Sequence, residues 1–167
     1  LVCNTNDDPA QERADLDAVG GSLAQGVIVM NADFVQLEVL IDLRRRGVPV
    51  VLCMWERPAD APSLPCVAVD FHHAGVLAAE HLLKLGHRTL GAVVGSEPSG
   101  THRWRLQGFA ETLARAGVAL PPAQVRHGHD SIDDGRNAAH SLLAAVPGIS
   151  AVFATNDLPA LGVLQAA

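Results

Sequence analysis

The sequence predicts an α/β protein built on parallel sheet, and three observations carry that prediction. Short apolar runs, several rich in valine, take turns with helix-period segments along the chain. The joints between them hold cap and turn residues suited to helix ends. Finally, 49% of the 167 residues are hydrophobic and only 18% are charged, which gives the chain enough apolar surface to offset chain entropy. The length allows one sizeable core, or two small ones sharing a cleft.

The elements follow in order. Residues 1–5 and 26–30 read as strands, with a helix over 9–19 between them; Asp8 before Pro9, with Gln11 three residues on, supplies its cap. A helix over 34–46 ends in Arg44, Arg45 and Arg46, where cations suit the dipole, and Gly47 lets the chain leave in a left-handed turn. Strands at 48–54 and 67–70 precede a helix over 73–85 that Gly86 closes. His87 and Arg88 then occupy the turn, where a cationic pair complements the dipole and can cap carbonyls. The strand at 90–94 is followed by a helix over 103–116, closed by Gly117. A strand at 125–128 leads to a helix over 132–145 capped by Ser131 with Asp134, and the strand at 151–155 leads to a helix over 159–166. Strand and helix in strict turn is the pattern of parallel βαβ units. A chain that opens in a strand and closes inside a helix is expected to be a domain fragment missing its first and last elements.

Charge and cysteine usage narrow the function classes. Twelve basic against eighteen acidic residues give a net charge of -6, the wrong sign for neutralising phosphates, so no direct nucleic-acid contact is expected of this segment. Cys3, Cys53 and Cys66 are odd in number, sit in or beside apolar runs and lack C-x-x-C spacing, which reads as reduced core thiols in a cytoplasmic protein. No apolar run approaches the roughly twenty residues of a membrane span, so no membrane partner is expected. The histidines at 72 and 73 and at 127 and 129 have no partnered Cys/His spacing, so neither a metal nor another cofactor is predicted. With no G-x-S-x-G elbow, P-loop or G-x-G-x-x-G after a strand, an enzyme is not expected. The loop GSEPSG at 95–100 could cradle an anion or lead a cleft-lining segment into the next helix.

Four stretches in sequence then carry a resemblance: DFHHAG with its Asp-x-x-x-x-Gly, AAEHLLKLGHRTLGAVVG, RLQGFAETLARAGV, and AVFATNDLPALGVLQA. Together, and in this order, they resemble the lactose-repressor/galactose-repressor family of bacterial transcription regulators over essentially the whole chain. The resemblance implies a periplasmic-binding-protein-like effector domain of two doubly wound parallel-sheet subdomains, the first at 1–87 and the second at 88–167, with a ligand cleft between them. His87 and Arg88 would then lie near a crossover, tying the halves together. It further implies a cytoplasmic homodimeric repressor in which a helix-turn-helix headpiece, absent from this segment, binds operator DNA. The segment itself would sense a small polar effector such as a sugar or a nucleoside-like compound.

Candidate contacts combine that implication with a rule of doubly wound sheets, where ligands bind beyond the carboxyl ends of strands. Arg105 stands three residues before Gly108, where the family's arginine reaches the effector, and its planar fork suits adjacent hydroxyls or a carboxylate. A plain surface helix arginine is the alternative. Asn156 closes the last strand and offers both donor and acceptor, while Asp157 has a role as cap of the helix at 159. Asp70 can cap its helix or line the cleft mouth. In VPVVLCMWERP, Met54 stands where family members often place an effector-binding aspartate, and a thioether cannot replace that acceptor. Glu56 could supply the carboxylate from two residues further on. Trp55 and Trp104 could each stack on a sugar or base, or simply pack in the interior. Two other classes stay open: a solute-binding protein of a sugar transporter, against which the unpaired cysteines and HLLKLGHR count, and a doubly wound enzyme with no identifiable nucleophile.

Overall fold

A computed structural model describes residues 2–5, 8–21, 24–30, 37–54, 64–96 and 100–167. The chain falls into two compact units, Leu1–Val69 and Asp70–Ala167.

In the first unit α1 (Pro9–Gly20) begins at Asp8, whose Oδ1 accepts the Ala10 amide at 2.9 Å. Strands β1 (Val27–Met30), β2 (Val50–Met54) and β3 (Cys66–Ala68) form a parallel sheet in the order β1-β2-β3. Val27 pairs with Val50 and Leu52 with Cys66. Helix α2 (Leu37–Arg45) supplies Leu40 and Leu43 to a core shared with Leu16 of α1, Val50, Leu52 and Leu64. Along β1 burial alternates, leaving Ile28 and Met30 exposed. The strand expected at 1–5 is not formed over Val2–Thr5. Among the described residues no strand pairs with this run, Val2 is 95% exposed, and Cys3 is exposed too, so it is not the core thiol expected of it.

The second unit holds α3 (Phe71–Lys84), β4 (Leu90–Val94), α4 (Gly100–Arg115), β5 (Val125–His127), α5 (Ile132–Ala145), β6 (Ala151–Ala154) and α6 (Asp157–Ala166). Its parallel sheet runs β5-β4-β6, with Ala92 opposite both Val125 and Phe153. Every residue of β4 is buried, as a central parallel strand should be. Helices cover both of its faces: Leu90 joins Ala79, Phe109, Leu113 and Val118, while a Cβ on Gly91 would meet Leu142 of α5. Phe109 stacks on Phe153 with centroids 4.5 Å apart. Two helix pairs cross with almost no space between backbones, α3 on α4 at Gly75 and Gly108, and α5 on α6 at Gly135 and Gly162. Gly47, Gly86 and Gly117 all take positive φ past the ends of α2, α3 and α4, as their C-cap assignment requires.

The units part at Val69, not at the expected 87/88 boundary, because α3 lies along α4 and belongs with the second sheet. His87 and Arg88 accordingly bond within the second unit. His87 Nδ1 is 2.9 Å from Ser150 Oγ, and Arg88 Nη1 donates to the carbonyls of Leu83 and His87. The pair closes the end of α3, the capping role open to it in the sequence. No described helix is long and apolar enough to cross a membrane.

Candidate functional site

Beyond the carboxyl ends of β4 and β6, the second unit gathers a polar cluster from five segments. Thr155 follows β6 directly, and its hydroxyl, in a residue only 2% exposed, accepts the Gly95 amide at 3.0 Å. Nδ1 of His102, on the first turn of α4, lies 2.9 Å from the same hydroxyl. The other ring nitrogen, Nε2, is 3.3 Å from Asp130 Oδ2, and the Ser96 amide approaches that oxygen at 3.4 Å. Asn156 Nδ2 donates to Asp130 Oδ1 at 2.9 Å. Arg105, one turn along α4 from His102, donates from Nη1 to the Thr155 carbonyl at 2.7 Å and lays its guanidinium over the Phe71 ring at 4.3 Å.

The electrostatics follow from that packing. Burial lowers the Arg105 pKa, and the nearby carboxylates of Asp157 and Asp130 oppose the shift, so the guanidinium stays charged. Burial alone would raise Asp130. The Asn156 hydrogen bond, the attraction of His102 when its ring is protonated, and the Ser96 amide outweigh it and hold the carboxyl below its ordinary value. The cluster therefore presents the Arg105 cation beside one fixed anionic acceptor, Asp130. Such an arrangement can grip a small molecule rich in hydroxyl or amide groups.

Of the residues singled out in the sequence, Arg105 and Asn156 meet here, both half-buried. Asn156, not Asp157, caps the last helix: its Oδ1 accepts the Asp157 amide at 2.8 Å, and α6 starts at Asp157, two residues before the expected position. Asp70 caps α3 through the His73 amide at 2.8 Å, and the helix begins at Phe71. Trp104 is half-buried on α4 with the Arg103 guanidinium 5.6 Å above its ring. Trp55 and Glu56, and residues 97–99 of the GSEPSG loop, lie outside the described residues, as does the side chain of Met54. His102, Asp130 and Thr155 were missed. A signal existed for each: His102 stands three residues before Arg105, Asp130 immediately precedes the cap Ser131, and Thr155 adjoins Asn156.

The HTH-type transcriptional repressor PurR of Haemophilus influenzae (strain PittEE) is 28% identical over 168 residues, covering 99% of this chain and 48% of that protein. The solved complex of the transcriptional regulator CelR with cellobiose superposes with a TM-score of 0.73 at 27% identity, covering 95% of this chain and 48% of that one. A periplasmic ribose ABC transporter structure from Conexibacter woesei reaches a TM-score of 0.83 at 22% identity, covering 96% of this chain and 54% of that one, and shares the fold. The chain thus spans about half the length of the curated relatives it matches. Because the profile described as periplasmic binding proteins and sugar binding domain of LacI family matches residues 1–167 throughout, the chain belongs to that family.

Proposed function

We propose that this chain is the effector-sensing part of a cytoplasmic transcriptional repressor, not an enzyme, and that a small polar effector binds at the Arg105 cluster. The observation that carries the reading is the anchored arginine. Arg105 spends one donor on the Thr155 carbonyl, which fixes the guanidinium at the strand ends, and a guanidinium has five N–H donors in all. Asp130 and Asn156 supply acceptor and amide beside it. Repressor relatives such as PurR and the cellobiose-bound CelR support a sensory role, with a sugar or nucleoside-like compound as the effector class. In the whole protein, effector occupancy would change operator affinity through a separate headpiece carried by a homodimer.

Calorimetry on this chain against a panel of hexoses, pentoses, cellobiose and nucleobases tests the site. Arg105→Ala is expected to weaken the ligand that binds by about 2–5 kcal/mol. Unchanged affinity would move the site elsewhere. The transporter reading draws on the ribose-transporter fold match; finding a helix-turn-helix encoded in the same gene would decide against it.

A further inference from the structure

Resting on the reading that Arg105 and Asn156 hold an effector, we propose that His102 is the positioning residue of this site, a single imidazole that orients the supports of both. One ring nitrogen addresses Thr155, whose carbonyl takes Arg105; the other addresses Asp130, whose second oxygen takes Asn156.

Asp130 sets the direction of the hydrogen bonds. An ionised carboxylate only accepts, so the His102 Nε2 that faces it carries a hydrogen. In the uncharged ring Nδ1 is then an acceptor, and the Thr155 hydroxyl, one of whose lone pairs takes the Gly95 amide, donates its proton there. The result is a directed chain from the Gly95 amide through Thr155 and His102 to Asp130. His102 is 4% exposed and Thr155 2%, so water cannot replace either partner freely. Asp130 is the outer end of the chain, with its side chain 31% exposed, and it stands there as a fixed acceptor beside Arg105. Space enforces the geometry as well: a Cβ on Gly95 would lie 2.3 Å from Asp130 Oδ1 and 2.8 Å from the His102 ring. Helix α4 therefore carries both the binding arm, Arg105, and the brace for its surroundings, His102, on one face.

The test needs no effector. In the ¹⁵N-histidine spectrum of this chain, recorded where the ring is uncharged, His102 is expected as the Nε2–H tautomer, with a pyridine-like Nδ1 and a pyrrole-like Nε2. Two substitutions separate the halves of the chain, because asparagine places its amide near Nδ1 and glutamine near Nε2. His102→Asn should retain the Gly95 amide resonance and shift the Asn156 side-chain amide, whereas His102→Gln should do the reverse. An Nδ1–H tautomer, or the same response from both variants, would mean that the imidazole merely fills space. Should neither variant fold, Thr155→Val and Asp130→Asn leave His102 in place, and each must move the resonance of the ring nitrogen facing it; no movement overturns the proposal. If this pattern appears while Arg105→Ala leaves binding intact, the brace stands and the effector reading fails.

Discussion

Gly75→Ala is the substitution whose consequence is most fully set by the packing of the second unit. A Cβ at this position would lie 1.9 Å from the Arg105 carbonyl oxygen and 2.8 Å from the Phe109 amide nitrogen. Carbon and oxygen settle no closer than roughly 3.3 Å, so α3 and α4 would have to part by about 1.5 Å. Opening a radial gap of even 0.5–1 Å forfeits about a quarter to a half of each dispersion contact across it. The residues that would lose contact include Ala79, Phe109 and Leu113, all 0% exposed. The cost should therefore reach the upper end of overpacking penalties, about 3 kcal/mol or more. Gly86→Ala is the matched control. Its Cβ would meet nothing within 4 Å, and only its φ of +91° is unfavourable, so it should cost about 1 kcal/mol. Urea unfolding, with amide exchange followed over residues 71–84 and 100–115, compares the two. If Gly75→Ala proves no more costly than Gly86→Ala, the helices have room that this crossing denies them. Because the clash falls on the Arg105 backbone, the variant should also lose effector affinity in calorimetry at temperatures where it remains folded.

Two further outcomes are expected. Phe109→Ala removes a fully buried ring that stacks on Phe153, and denaturant titration should show a loss of about 3–5 kcal/mol. Asp130 is held below its ordinary value of 3.8, so its ionised form stabilises the folded state above the unfolded pKa, and that contribution disappears as pH falls through the lower folded value. Stability measured from pH 5 downward should accordingly fall less steeply in Asp130→Asn than in the parent chain; identical slopes would show that Asp130 is not held ionised.

Most of the fold was legible because its signals are local. Asp8 and the Ser131–Asp134 pair do cap α1 and α5, with the Asp134 amide donating to Ser131 Oγ at 3.1 Å and the Ser131 hydroxyl donating to Asp134 Oδ2 at 2.6 Å. The valine-rich run at 90–94 is the central strand of its sheet. What misled was information carried by partners instead of by the run itself. Residues 1–5 look like a strand, yet a strand exists only where another chain segment completes its ladder. The unit boundary shifted for a similar reason. Nothing in the helix over 71–84 says which sheet it joins; the answer lies in the complementarity of Gly75 and Gly108 across α3 and α4, 33 positions apart in sequence.

The site was half legible, and Asn156 shows where the other half lay. As an isolated residue at a strand end it offers a donor and an acceptor to a ligand. In the folded chain its Oδ1 receives the Asp157 amide as a helix cap, and its Nδ2 is given to Asp130. One lone pair of Oδ1 and one hydrogen of Nδ2 are thus engaged, and one of each remains for a ligand. An effector that took these would leave the cap intact, whose loss would forgo about 1 kcal/mol. Arg105 is less committed, having given Nη1 to a backbone carbonyl that also steadies it. In the proposed site the two residues therefore divide the work, with Arg105 supplying most of the open donors and Asn156 also holding Asp130 in place. That division depends on Asp130, His102 and Thr155, polar residues drawn from three separate segments, whose roles arise only when β4 and β6 bring those segments to one end of a sheet.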